Sequence, residues 1–225
     1  MYKITNLFIK NKTWQPAVPQ QSIICNTALG VVWNTSWWAD NPRQILISCE
    51  DDLSRYSLQP WQLRENICIS LDICQQLESG DLLSIWDNLQ IRITYPCEPC
   101  WHLLDLEDFR VDKIQDFEPY RGKLWYIISG WEIYIWDTCT ITKNYYPKLP
   151  QDTKARFAYI CNLIPDNHIL DYSTMAVLMW VATWYVRAMP RYITNTPWSA
   201  DKILSKNEFL SSKKTKRNYD WRLIV

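Results

Sequence analysis

The chain holds only four glycines in 225 residues, but it holds 14 tryptophans. Glycine supplies positive φ without steric cost, so its scarcity limits how many tight turns a chain can make. Average usage is about 7% glycine. Here the two residue types together make 18 of 225, close to what glycine alone ordinarily contributes. Many tryptophans also stand where a turn wants glycine, as in Gln59-Pro60-Trp61-Gln62, Ile85-Trp86-Asp87-Asn88 and Ile135-Trp136-Asp137-Thr138. After proline at the second position of a type II turn, the next residue needs positive φ. The hypothesis follows that several or most of these tryptophans are glycines, read through a codon (UGA) that the source organism assigns to glycine. The alternative is a genuinely Trp-rich chain.

Hydrophobic residues make up 48% and charged residues 21%, which is ordinary globular usage and enough for a buried core. The net charge is zero but unevenly spread. Residues 1–146 hold 12 Lys/Arg against 18 Asp/Glu, and residues 147–225 hold 12 against 6. A basic second part favours an anionic partner at that end, although solvated surface charge has the same signature. Residues 1–12 lack the continuous apolar stretch of a signal peptide. The longest apolar run, Met175–Val186, is too short for a membrane helix and fits a buried one. The expectation is a cytoplasmic protein, away from membranes, whose eight cysteines are reduced thiols rather than a disulfide framework.

Short strands dominate residues 1–146. Ile45–Ile47, Ile67–Ile69 and Leu82–Ile85 are apolar runs, and Leu89–Tyr95 alternates strictly between apolar and polar. Tyr126–Ile128 and Ile133–Ile135, separated by Ser129-Gly130, predict a hairpin, and Thr138–Thr142 continues the β pattern. Leu103–Asp116 is compatible with a helix. Many short strands with turn signals predict a barrel or sandwich. The texture changes at Tyr145-Tyr146-Pro147-Lys148-Leu149-Pro150, after which Asp152 reads as a helix N-cap. Helices are predicted around Phe157–Ile164, after Ser173 and from about Thr183, followed by a basic tail, Lys213-Lys214-Thr215-Lys216-Arg217. The domains expected are therefore 1–146 and 147–225.

Cys97-Glu98-Pro99-Cys100 follows directly on a strand. Structural zinc normally wants four ligands and no second CxxC exists, though His102 lies close by. A thioredoxin-like pair wants a βαβ setting, which the β-rich pattern does not supply. A reactive thiolate that binds a soft metal or carries sulfur is the third reading, and two inert buried thiols the fourth.

Six stretches in order resemble a MOSC domain, the module named after the C-terminal part of molybdenum-cofactor sulfurases. They are Arg43-Gln44-Ile45-Leu46, Leu63-Arg64-Glu65-Asn66-Ile67, Gly80–Ile85, Tyr95–Cys100, Arg121-Gly122-Lys123-Leu124 and Gly130–Asp137, within residues 30–142. The resemblance implies a compact β-barrel with a pocket near the cysteine turn and molybdenum cofactor (molybdopterin) as ligand. It implies Cys100, with Cys97, as the catalytic or sulfur-carrying pair, and Cys100 as the metal ligand. Arg43, Gln44, Asn66 and Cys100 become the cofactor-binding candidates. The family commonly has glycine at positions matching Trp61, Trp86, Trp125, Trp131 and Trp136. Where it often has Asp and His, this chain has Asn34 and Ser36, which favours binding or carriage over acid–base catalysis.

Residues 151–225 resemble the DNA-binding part of alkylguanine-DNA alkyltransferases and alkyltransferase-like proteins. The stretches concerned are Leu163-Ile164-Pro165, Leu170–Ala176 and Tyr185–Pro190. The resemblance implies that Tyr172 helps rotate a target nucleotide and that Arg187 fills the gap left in the stack, with Lys213 and Lys214 available for phosphates. The family's reactive Pro-Cys-His-Arg-Val would fall on Pro197–Ile203, which here has neither Cys nor His, so no alkyl transfer is expected. Pro190 falls inside the would-be recognition helix and is expected to shorten or bend it.

The fold expected is thus α+β, a mainly-β MOSC-like barrel followed by a small helical, winged-helix-like domain. The leading function is a molybdenum-cofactor-binding or sulfur-carrier protein with a non-catalytic DNA-binding module. The alternatives are a DNA-damage-recognition protein with a vestigial MOSC domain, and a zinc- or redox-regulated interaction protein using the CxxC.

Overall fold

Alternation along Leu89–Tyr95 places Ile91 and Ile93 on one face, and both are fully buried, as a half-buried strand requires. The computed structural model describes residues 2–12, 15–37, 41, 43–70, 77–97, 122–181 and 183–217, with backbone only at 95, 125, 183 and 184. Contacts divide the chain into two compact units, Met1–Lys148 and Leu149–Val225.

In the first unit, β1 (Tyr2–Ile9), β2 (Val18–Gln20), β3 (Ser22–Asn26), β4 (Gly30–Val31) and β5 (Ile45–Cys49) lead into helix α1 (Glu50–Arg55). They are followed by β6 (Ile67–Ile69), β7 (Leu82–Ile85), β8 (Leu89–Pro96), β9 (Lys123–Ser129), β10 (Glu132–Tyr134) and β11 (Thr138–Thr142). The main sheet runs β11-β7-β8-β9-β5-β6-β1-β2, and β11 also pairs with β1 through Tyr2↔Cys139, which closes a barrel. Closure removes the exposed edges that an open sheet presents. Ile4, Ile47, Ile67, Leu83, Ile85, Ile91, Ile93, Ile127 and Cys139 fill the core, and the β-branched isoleucines among them suit a pleated surface.

The hairpin expected across Ser129-Gly130 does not form. β9 pairs with β8 on one side and β5 on the other, so neither edge is left for β10. β10 crosses into a second sheet, β10-β3-β4, opposite β3 at Ile133↔Ile23. Gly130 permits that crossing, since a Cβ there would stand 2.5 Å from the Cys25 carbonyl oxygen. The expectation of reduced thiols is corrected at one position, because Cys49 is disulfide-bonded. Cys25, Cys68, Cys97, Cys139 and Cys161 are free.

The second unit opens with α2 (Thr153–Leu163), and the Asp152 carboxylate accepts from the Ala155 N–H at 2.7 Å as its N-cap. β12 (His168–Asp171), α3 (Tyr172–Leu178), a 3₁₀ segment (Thr183–Ala188) and α4 (Met189–Asn195) come next. A second 3₁₀ turn (Pro197–Ser199), β13 (Ile203–Leu204), α5 (Lys206–Ser211) and β14 (Thr215–Lys216) complete the unit. Pro190 starts α4 rather than bending it, because its missing N–H costs nothing in a first helical turn. The basic segment is not a free tail. Thr215–Lys216 pairs in parallel with β12, which lies between β13 and β14. Arg156 is wholly buried and donates to the carbonyls of Pro150, Gln151 and Met179. No described helix is long and apolar enough to cross a membrane.

Candidate functional site

The site is built on the loop between β4 and β5, where short polar side chains hold the backbone in the absence of regular pairing. Asn34 Oδ1 accepts from the Lys10 N–H at 2.9 Å, and its amide donates to Ser36 Oγ. Asn41 donates to the Ser36 carbonyl at 2.7 Å and accepts from the Arg43 N–H at 2.9 Å. This relay fixes the backbone of Arg43, whose Nη2 donates to the Cys97 sulfur at 3.4 Å. Cys97 is buried, and its own N–H donates to the Gly122 carbonyl.

Above this network lies a pocket of about 400 Å³. Lys10, Arg43 and Arg64 give it three cations, and no described carboxylate lines it. Asn34, Thr35, Ser36, Asn41 and Asn66 add polar groups. Leu46 and Leu124, directly opposite each other on β5 and β9, add an apolar wall. Among the described residues the lining is cationic and polar with one apolar wall, a combination that attracts an anion carrying an apolar ring. Glu65 lies between Arg64 and Asn66 in sequence but is buried, which pushes its carboxyl up to about 7. Near neutral pH it therefore opposes the cations only in part.

The residues expected to bind cofactor divide. Arg43 faces the pocket and reaches Cys97. Gln44 does not face it. Its side chain is completely buried, donating to the Thr27 carbonyl and accepting from the Ile127 N–H. This corrects its assignment, because an amide holding two backbone groups inside the barrel cannot also meet a ligand. Asn66 lines the pocket, yet its amide accepts from the Leu46 N–H and donates to the Phe8 carbonyl, so it positions β1 against β5. Cys100, expected as metal ligand and catalytic thiol, lies outside the described residues, as do His102 and 103–116. Lys10 and Arg64 were not expected. Arg64 belongs to a stretch that carries the resemblance, but Lys10 reaches the site only because β1 pairs with β6, itself beside β5, and has no local signal.

Burial pushes the thiols of Cys25, Cys68, Cys139 and Cys161 up to about 12, which keeps them protonated and unreactive. Cys97 differs from these four in accepting from the Arg43 guanidinium. No three described His, Cys, Asp or Glu side chains converge as a metal cage.

In the second unit Tyr172 is the first residue of α3, half-buried, and α3 packs on the 3₁₀ segment that carries the exposed Arg187. Lys213 and Lys214 are exposed, and Lys214 Nζ donates to the Asp201 carbonyl at 2.7 Å.

No protein-family model and no curated protein sequence matches the chain. Solved structures do. The YUAD protein of Bacillus subtilis is 14% identical over 63% of this chain and 96% of its own, with a TM-score of 0.53. YiiM from Geobacillus stearothermophilus is 13% identical over 72% and 91%, at 0.52. YiiM from Escherichia coli is 14% identical over 86% and 94%, at 0.51. Likeness at this level is likeness of fold, and the chain is an α+β protein whose β-rich unit is a MOSC-like barrel.

Proposed function

We propose that the barrel unit binds the molybdenum cofactor, a phosphorylated pterin, or carries sulfur at its cysteine turn. The observation that carries this reading is the convergence of Lys10, Arg43 and Arg64 on one pocket, beside the Arg43–Cys97 contact. The donor set fits the group. Lys10, Arg43 and Arg64 would hold its phosphate, guanidinium being well matched to that geometry. Leu46 and Leu124 would face the ring system. When bound, the cofactor supplies a redox-active metal, and Cys100 is the residue the resemblance assigns to it. The chain's own contribution is to orient the ligand and to place a guanidinium against the Cys97 thiol. The test is molybdenum and pterin analysis of the full chain purified from a host that makes the cofactor. Both are expected to co-purify, with molybdenum lost in Cys100→Ala and pterin lost in Arg43→Ala. Finding neither, or stoichiometric zinc in their place, would overturn the cofactor reading.

A second role, duplex DNA binding by the second unit, is favoured by the exposure of Arg187 and Arg191 beside the helix that begins with Tyr172. Binding to a short duplex should weaken with rising salt and on Arg187→Ala. Salt-insensitive or absent binding would remove it.

A further inference from the structure

We infer that positions 33, 61, 86, 136 and 180, written as tryptophan, are glycine in the protein that the source organism makes. Among the described residues eight non-glycine positions have positive φ, and five of them are tryptophan, although tryptophan is only 14 of 225 residues. For a bulky side chain that conformation is an outlier even singly.

The local geometry asks for glycine at each of the five. Asn34 N–H donates to the Val31 carbonyl, Gln62 N–H to Gln59 and Asp137 N–H to Tyr134. These close three four-residue turns whose third residues are Trp33 (φ 66), Trp61 (φ 82) and Trp136 (φ 75), the position where a type II turn takes glycine. Trp86 (φ 44) is the second residue of the turn closed by Asn88 N–H on Ile85, between β7 and β8. Trp180 (φ 57) follows α3. Its N–H donates to Val177 and the next N–H, of Val181, donates to Ala176. That pair of bonds defines the Schellman end of a helix, whose left-handed residue is usually glycine.

Packing offsets little of the strain at the turns, since Trp33, Trp61, Trp86 and Trp136 are 39–67% exposed, although the Trp33 ring meets that of Trp37 at 5.0 Å. Two of these turns also carry the pocket. Trp33 immediately precedes Asn34–Ser36, and Trp61 opens the loop to Arg64 and Asn66. The inference does not depend on what the pocket binds.

Peptide mass spectrometry of the protein taken from its own organism decides the matter. Peptides spanning 33, 61, 86, 136 and 180 are expected to be lighter by the exchange of an indolylmethyl group for hydrogen. Tryptophan found at these sites overturns the inference. The physical reason is tested separately in a host with the standard code, by comparing the written sequence with a variant carrying Trp33→Gly, Trp61→Gly, Trp86→Gly and Trp136→Gly. After allowance for the extra freedom glycine gives the unfolded chain, the variant's folded-to-unfolded ratio should rise about 100-fold. A ratio that is equal or lower counts against the strain argument.

Discussion

Glu65 makes the stability of the barrel depend on pH in the direction opposite to most carboxylates. It is 1% exposed, Oε1 accepts from the Trp61 N–H at 2.5 Å, and Oε2 has no hydrogen-bond partner among the described residues. Burial raises its pKa from 4.5 to about 7, against smaller opposing effects from backbone N–H groups and Ser48. Between those two values the folded chain keeps a proton that the unfolded chain has released. Stability contributed by the protonated group is therefore full below 4.5 and is lost as pH rises through about 7. The rise from 4.5 to about 7 corresponds to about 3 kcal/mol. Glu65→Gln keeps an oxygen for the Trp61 N–H but cannot ionise. The perturbation is read by urea denaturation of wild type and Glu65→Gln, from about pH 4.5 to about pH 8, followed by circular dichroism through the barrel transition. Other titrating groups contribute equally to both proteins and cancel. The variant is expected to match wild type at the acid end and to exceed it by about 3 kcal/mol at the basic end. Parallel curves across that range would refute the reasoning.

Three further substitutions probe the scaffold. Arg156→Met removes the guanidinium from three carbonyls in the second unit, of which that of Met179 is buried, and should cost about 2 kcal/mol, visible as an earlier denaturation of that unit. Gly122→Ala puts a Cβ onto the Ile47 carbonyl oxygen at φ +105. It should cost about 2 kcal/mol or more and disturb the Cys97 N–H bond to Gly122, readable as faster hydrogen exchange at Cys97. Asp152→Ala removes the carboxylate that caps α2 and should lower stability by about 1 kcal/mol, measured by thermal denaturation; an unchanged midpoint would show that the cap is replaceable by water.

What the sequence made legible was local. Strict alternation marked β8, and Asp152 marked the start of α2, because period and capping are properties of a few consecutive residues. The β9–β10 hairpin was misread for the same reason. Ser129-Gly130 has turn chemistry, but which strand fills the edge of β9 is decided by β5, some eighty residues earlier. Gln44 and Asn66 show the corresponding limit at the site. A buried amide that ties two strands and an amide that meets a ligand are the same residue type, and only the partners separate them.

Charge illustrates the point most sharply. Residues 1–146 carry six more acidic than basic groups, so composition directs an anionic partner toward the other end of the chain. Folding reverses that expectation locally. Lys10 at the end of β1, Arg43 before β5 and Arg64 before β6 are brought to one pocket. The nearest carboxylate in sequence, Glu65, is turned inward and held partly neutral. The sign of a binding site is set by which side chains the closed barrel turns toward it, and a net count over the same residues carries no information about that choice.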